Sequence, residues 1–153
     1  MPSRRQLVAD LGTALQRYQR SVQAYDDAVG RALGLGPADL RCLDWLADGP
    51  KAAGVLATAT GLRPAATTAL IDRLEAKGLV ERVRDDSDRR RVLVRMTERG
   101  MRSTYAMYAP LVEEGADLFV HHTVAELAAM RDLLEAMRAL TDRHREGLPR
   151  DRE

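Results

Sequence analysis

Between Asp48-Gly49-Pro50 and Gly78 the chain has room for two short helices and little else. Thr60-Gly61-Leu62 interrupts the segment as a tight turn, and Pro64 restarts a helix at the one position where its missing N–H is no loss. Gly78 closes that helix, because glycine enters the left-handed conformation of a C-terminal cap without a steric cost. Within it, Thr67, Leu70, Ile71 and Leu74 fall on one face and predict the buried side. The preceding helix, Ala52 to Ala59, is weakly capped, since Lys51 and Ala52 stand where Ser or Thr would accept from the first-turn amides. Two short helices joined by a glycine-containing three-residue turn make a helix-turn-helix pattern.

The next segment narrows the choice further. Leu79 to Arg84 and Val92 to Met96 read as strands, the second alternating Val92, Val94 and Met96 with Leu93 and Arg95. The stretch between them, DDSDRRR from Asp85 to Arg91, is too polar for a core and becomes the tip of a hairpin. A helix-turn-helix followed at once by a hairpin with a basic tip is a winged helix, whose second helix enters a major groove while the tip reaches phosphates or the minor groove. Arginine at the tip brings charge and a planar cation that suits a narrow minor groove. The acids before it can pair with these arginines and fix the loop, Asp88 and Arg90 being the natural partners. A solvated hairpin closed by ion pairs would explain the same charges, but its position directly after a helix-turn-helix favours the DNA-facing reading.

Helices flank this centre. Leu7, Leu11, Leu15, Tyr18, Val22, Tyr25 and Val29 recur at steps of four and three, a long amphipathic helix that stops near Gly34-Leu35-Gly36. Pro37 opens the next helix, with Asp39 well placed at its positive end and Leu40, Leu43, Trp45 and Leu46 expected inside. Thr97 is expected to cap a helix carrying Met101, Tyr105, Tyr108 and Val112, with a kink at Pro110. Thr123 and Glu126 form a capping box for a last helix with an apolar stripe from Leu127 to Leu140. The expected fold class is mainly α, with enough strand to be α+β.

Composition limits the partners. In 153 residues the formal net charge is +1, so no polybasic tail drives the chain to a polyanion. Yet from Arg63 to Arg95 nine basic side chains stand against six acidic ones, a local excess of +3. One cysteine excludes an internal disulfide and fits a reducing compartment. No apolar run approaches the ~20 residues of a membrane span, and MPSRRQ lacks the apolar segment of a secretory signal, so a soluble cytoplasmic protein is expected. No nucleophile–base pair, phosphate loop or metal-ligand cluster is evident, and no enzyme, cofactor or metal is expected.

These residues resemble the MarR-type winged-helix transcriptional regulators. The resemblance runs through Leu56-Ala57, Gly61-Leu62, Thr68 and Leu70-Ile71-Asp72-Arg73-Leu74-Glu75. It continues in Lys77-Gly78-Leu79-Val80-Glu81-Arg82, Asp88-Arg89-Arg90 and Thr97-Glu98-Arg99-Gly100. It is specific over about residues 40 to 100; the terminal helices match only in length and apolar spacing. It implies one MarR-like domain over 1–146, with a winged helix at 37–100 and dimerisation helices at 4–33 and 101–146; the polar tail at 147–153 is expected to be flexible. It further implies a homodimer on a pseudo-palindromic operator in double-stranded DNA, acting as a repressor and released by a small aromatic or phenolic effector. The alternative is a helical protein-interaction module with a degenerate winged helix.

On that resemblance, DNA contacts are expected from Arg63, Ala65, Ala66, Thr68 and Arg73 of the second helix and from Arg84, Arg89, Arg90 and Arg91 of the wing, with Asp88 stabilising the wing. Ala65, Ala66 and Ala69 have no hydrogen-bonding side chain, so direct readout is expected to be sparse and to rest on Thr68 and Arg73, with shape and phosphate contacts supplying the rest. Arg63 stands where the family more often has a serine cap; it loses a cap but adds a cation that can grip phosphate. Tyr105 and Tyr108 are candidates for an effector pocket, whereas Tyr18 and Trp45 are assigned to the core. Cys42, between core positions, is read as a buried inert thiol rather than a redox sensor. His121-His122 with Glu126 could be drawn as metal ligands, but the capping box already accounts for Glu126. Thr67 is expected to bond back to its own helix.

Overall fold

The buried stripe of the second short helix organises the architecture. The computed structural model describes residues 1–88 and 90–148. In chain order the elements are α1 (Arg4–Leu33), α2 (Pro37–Ala47), β1 (Lys51–Ala52), α3 (Ala53–Thr60), α4 (Pro64–Ala76), β2 (Val80–Arg84), β3 (Val92–Met96), α5 (Glu98–Asp117) and α6 (Val124–Glu146). The chain divides into two compact units, Met1–Met107 and Tyr108–Glu153. The first holds the helix-turn-helix, α3 and α4, and the wing, β2 and β3, so the winged helix expected at 37–100 lies wholly within it.

Thr67, Leu70, Ile71 and Leu74 of α4 are buried as their spacing requires. They join Cys42, Leu43 and Leu46 of α2, Leu56 of α3, and Leu79, Val80 and Val94 from the wing in one core. The turn between α3 and α4 is made by Gly61 in the left-handed conformation, φ 71°, and α4 is closed by Gly78 at φ 70°. The Thr67 hydroxyl donates to the Arg63 carbonyl one turn back at 3.1 Å, as expected for a hydroxyl in an apolar stripe.

The sheet has three antiparallel strands in the order β1-β3-β2. Its edge strand β1 was not expected from the sequence: Lys51 pairs with Val94 and Ala52 with Leu93. Those two residues are extended because β3 takes their backbone hydrogen bonds, so α3 begins at Ala53 and its N-cap, Ala52, contributes no side-chain bond. The β3 strand, paired on both sides, thereby fixes the start of α3 as well as the wing.

The start of α5 is sewn to the start of β2. The Thr97 hydroxyl accepts from the Gly100 amide at 3.0 Å, capping α5, and donates to the Gly78 carbonyl at 2.7 Å. The Thr97 amide donates to the Leu79 carbonyl at 3.0 Å. This approach leaves no space at Gly100, where a Cβ would stand 2.2 Å from the Leu79 carbonyl oxygen. Further along, α5 runs through Pro110, and the Tyr25 hydroxyl of α1 donates to the Met107 carbonyl at 2.6 Å. The expected capping box of α6 is present, with the Thr123 amide donating to Glu126 at 2.8 Å and the Glu126 amide to Thr123 at 3.2 Å. Of the tail expected from Gly147, residues 149–153 lie outside the described residues.

Two core assignments are corrected. Tyr18 is 68% exposed and Trp45 37% exposed. On α1 only Val29 and Gly30 are buried, so the stripe that includes Tyr18 stays open over most of its length. On α2 the buried positions are Asp39, Cys42, Leu43 and Leu46, and Trp45 lies off that face. Cys42 is fully buried, and burial, reinforced by the Asp39 carboxylate, pushes its thiol up to about 11.

Packing at Gly100 and at Cys42 each predicts a measurable outcome. Gly100→Ala forces a methyl into backbone and is expected to cost about 2–3 kcal/mol, lowering the melting temperature by roughly 5–10 °C. Gly54→Ala, whose Cβ meets nothing, should not lower it; equal melting of the two variants would contradict the packing described. Cys42 should resist a chromogenic disulfide reagent at pH 8 in the native protein, because thiolate there amounts to about one part in a thousand, and react at once in denaturant.

Candidate nucleic-acid interface

Because α4 turns one face to the core, its other face is set. Ala65, Ala66, Thr68, Ala69, Asp72 and Arg73 are all exposed. Arg63 holds the N-cap position in extended backbone, φ −68° and ψ 156°, and offers no side-chain acceptor to the first-turn amides. That end of the helix therefore presents N–H groups as well as a cation, a combination that favours anions. Thr68 is narrower in its chemistry than its formula suggests. Its hydroxyl donates to the Pro64 carbonyl at 3.1 Å, so toward a base it offers lone pairs and accepts.

The charges on this face are largely paired. The Arg82 guanidinium on β2 meets Asp72 at 2.5 Å and also Glu75, and the Arg82 amide donates to Glu75 at 3.2 Å. This ties the base of the wing to α4 and offsets the negative charge that Asp72 would otherwise turn toward a phosphate backbone. Arg95 pairs with Glu81 across the strands at 2.8 Å. Arg73 is drawn to Asp39 at 2.5 Å, and Lys77 donates to the Gly34 carbonyl at 3.0 Å.

The wing tip is held mostly by backbone. Asp85 accepts from the Ser87 hydroxyl at 2.6 Å and from its amide at 2.9 Å, and these bonds hold its carboxyl below the usual carboxylate range. The Asp85 amide donates to the Arg91 carbonyl at 3.0 Å, and the Arg91 amide to the Asp88 carbonyl at 2.8 Å, closing the loop. The Asp88 carboxylate meets Arg90 at the amide, 3.0 Å away, and not at the guanidinium as the charges alone had implied. The local turn puts that amide within reach of the carboxylate two residues earlier and leaves the side chain outside. The ion pair at the tip is instead Asp85 with Arg91, at 3.7 Å. Among the described residues Arg84 and Arg90 have no acidic partner, and both are exposed. Arg89 lies outside the described residues.

The sequence thus points to the exposed face, to acids pairing with the arginines of the tip and to Asp39 at the start of α2, but not to the ties of Arg82 to α4 or of Asp39 to Arg73. The bonds from Ser87 to Asp85 have a local cause, since an Asp two residues before a Ser in a turn makes an Asx-turn. Asp39, thirty-four residues before Arg73, had no local signature. Tyr105 is 65% exposed on α5 and Tyr108 is half-buried. Among the described residues no group of three or more His, Cys, Asp or Glu side chains is arranged to hold a metal ion. Among them, too, no helix is long and apolar enough to cross a membrane.

Comparison with known proteins agrees with this geometry. The family model described as MarR family matches residues 33–91, from the end of α1 to the wing tip. An HTH-type transcriptional regulator of Bacillus subtilis, YcgE, itself uncharacterised, is 40% identical over 119 residues, covering 75% of this chain and 77% of its own. Among solved structures, a MarR family protein from Bacillus stearothermophilus is 23% identical with a TM-score of 0.67, covering 92% of this chain and 99% of its own. CouR from Rhodococcus jostii, solved with p-coumaroyl-CoA bound, is 28% identical with a TM-score of 0.60, covering 86% of this chain and 93% of its own. A helix-turn-helix with one alanine-rich outer face, a wing clamped to it by Arg82, and these relatives place the chain in the MarR family of DNA-binding winged-helix transcriptional regulators.

Proposed function

We propose that the protein is a homodimeric repressor that holds a pseudo-palindromic operator and releases it when a small aromatic or phenolic compound binds. The observation that carries the reading is the pairing, in one chain, of a reading head with exposed cations and helices whose apolar stripes stay open. Leu7, Leu11 and Tyr18 on α1 and Leu133, Leu134 and Leu140 on α6 are each about half or more exposed. Apolar stripes of this length lose free energy in water at about 25 cal/mol per Å², and a second copy offers the complementary surface that a two-fold axis requires.

In this reading Arg63, with the open end of α4, grips phosphate. The methyls of Ala65 and Ala66 face the groove, where a thymine methyl is their one useful contact, and Thr68 accepts from a base amino group. Arg84, Arg89, Arg90 and Arg91 carry the wing to the backbone or minor groove, and Asp88 keeps the turn that presents them. Tyr105 and Tyr108, one turn apart on α5, are the side chains assigned to an aromatic effector; the p-coumaroyl-CoA bound to CouR supports a ligand with a phenolic group.

Titration with duplexes taken from upstream of the protein's own gene tests this directly. Affinity should fall steeply with salt, with a slope near −0.9 per phosphate neutralised. Arg84→Ala and Arg90→Ala should each weaken binding similarly on all sequences and reduce the slope by about 1. A flat salt dependence would favour the interaction-module reading that the three exposed alanines also allow. Light scattering should give twice the monomer mass, and Leu133→Glu with Leu134→Glu should yield monomers that no longer hold the operator. A phenolic library should contain compounds that release the wild-type complex and fail on Tyr105→Ala; no release by any member would remove the effector from the proposal.

A further inference from the structure

Arg73 stands on the outward side of α4, where a guanidinium is well placed to read a guanine, yet the fold uses it otherwise. Its Nη2 donates to Asp39 Oδ1 at 2.5 Å. The two partners differ sharply in burial: the Asp39 side chain is 5% exposed and that of Arg73 50%. The second oxygen of Asp39, Oδ2, accepts from the Gly36 amide at 2.9 Å, at the start of α2. The carboxylate thus has one bond to its own helix start and one to α4. For Arg73 to reach a base edge, a buried carboxylate would have to give up its cation, and stripping one partner from such a pair is strongly unfavourable.

A second tie lies one turn further along α4. Lys77 Nζ donates at 3.0 Å to the carbonyl of Gly34, the left-handed residue that ends α1 at φ 64°. Gly34 and Asp39 bracket the elbow between α1 and α2. Two cationic side chains therefore bind the C-terminal half of α4 to one elbow. We propose that Arg73 is a positioning residue rather than a base-reading one, and that the Arg73–Asp39 and Lys77–Gly34 ties set the pose of the recognition helix against the α1–α2 elbow. A displacement of α1 is then passed to α4 through these ties, and Thr68 with DNA shape is left to supply readout. The inference rests on the DNA-binding reading of the protein.

The test uses the full chain and a duplex selected by the wild-type protein from a random library. If the wild type selects nothing, the DNA-binding reading itself fails; the two ties are judged on variants only once the wild type binds. Asp39→Asn and Arg73→Gln should each lower the affinity of the folded protein about tenfold, and the double variant should be no worse than either, as coupled neighbours require. Base preferences and salt slope should stay as in the wild type. Loss of stability alone would move the melting temperature and not the affinity measured well below it. Lys77→Met, an exposed change that spares the core, should weaken binding a few-fold with the slope retained. The proposal is overturned if Arg73→Gln relaxes preference at one base pair, if Arg73→Gln or Lys77→Met cuts the slope by about 1, or if Asp39→Asn or Lys77→Met leaves affinity unchanged.

Discussion

Burial of Leu70, Ile71 and Leu74 is the constraint on which the rest of the molecule depends. A helix turns 100° per residue, so choosing which side chains enter the core also chooses which ones remain outside. With those three inside, Ala65, Ala66, Thr68, Asp72 and Arg73 have no option but the surface. The same core takes Val80 and Val94 from the wing, so one hydrophobic cluster sets both the rotation of α4 and the attachment of the hairpin. Small residues on the outer face leave the backbone of α4 open to close approach.

Electrostatics then acts on a scaffold already fixed by packing. The local excess of positive charge overstates what a polyanion meets, because Arg73, Arg82 and Arg95 are each held by a carboxylate. The exposed pairs of Arg82 and Arg95 add little to stability, but they orient the parts. Arg82 is the clearest case, reaching two acids on α4 from a strand of the wing. Among the described residues of the wing, Arg84 and Arg90 have no acidic partner and Arg91 is only loosely paired, at 3.7 Å. The wing thus carries exposed cations, while the outer face of α4 carries mostly small side chains and paired charges.

The features legible in the sequence are the ones with local causes. The buried stripe of α4, the caps at Gly34, Gly78 and Thr123, and the two long strands all depend on residues within a turn or a hairpin of each other. The two-residue strand β1 is hidden because its partners on β3 lie 41 and 43 residues away and the alanines beside it read as helix. Tyr18 and Trp45 were misassigned because periodicity shows that a face is apolar and not whether the same chain covers it. At Asp88 opposite charges suggest a guanidinium pair with Arg90, but the tight turn brings the Arg90 amide to the carboxylate instead. The Asp39–Arg73 contact brings together two residues with nothing in their own surroundings to point at each other.

The proposed release of DNA sets a quantitative demand on this design. To move the head from mostly gripping to mostly releasing, an effector must favour the released form by about 10⁴-fold, or about 5.5 kcal/mol. A compound of phenolic size can supply that only if small displacements near its site are multiplied at the DNA. A two-fold assembly does this, since misplacing both recognition helices removes the contacts of both half-sites together. The lever has to be stiff where it meets α4, and a satisfied carboxylate at the elbow, bonded to α2 and to Arg73, is stiffer than apolar contact alone. It has to be soft elsewhere, and α5 has a candidate at Pro110, which leaves the Ala106 carbonyl without its helical N–H. The Tyr25 hydroxyl bonds the very next carbonyl, Met107, and so ties α1 to α5 just before that break in its hydrogen bonding.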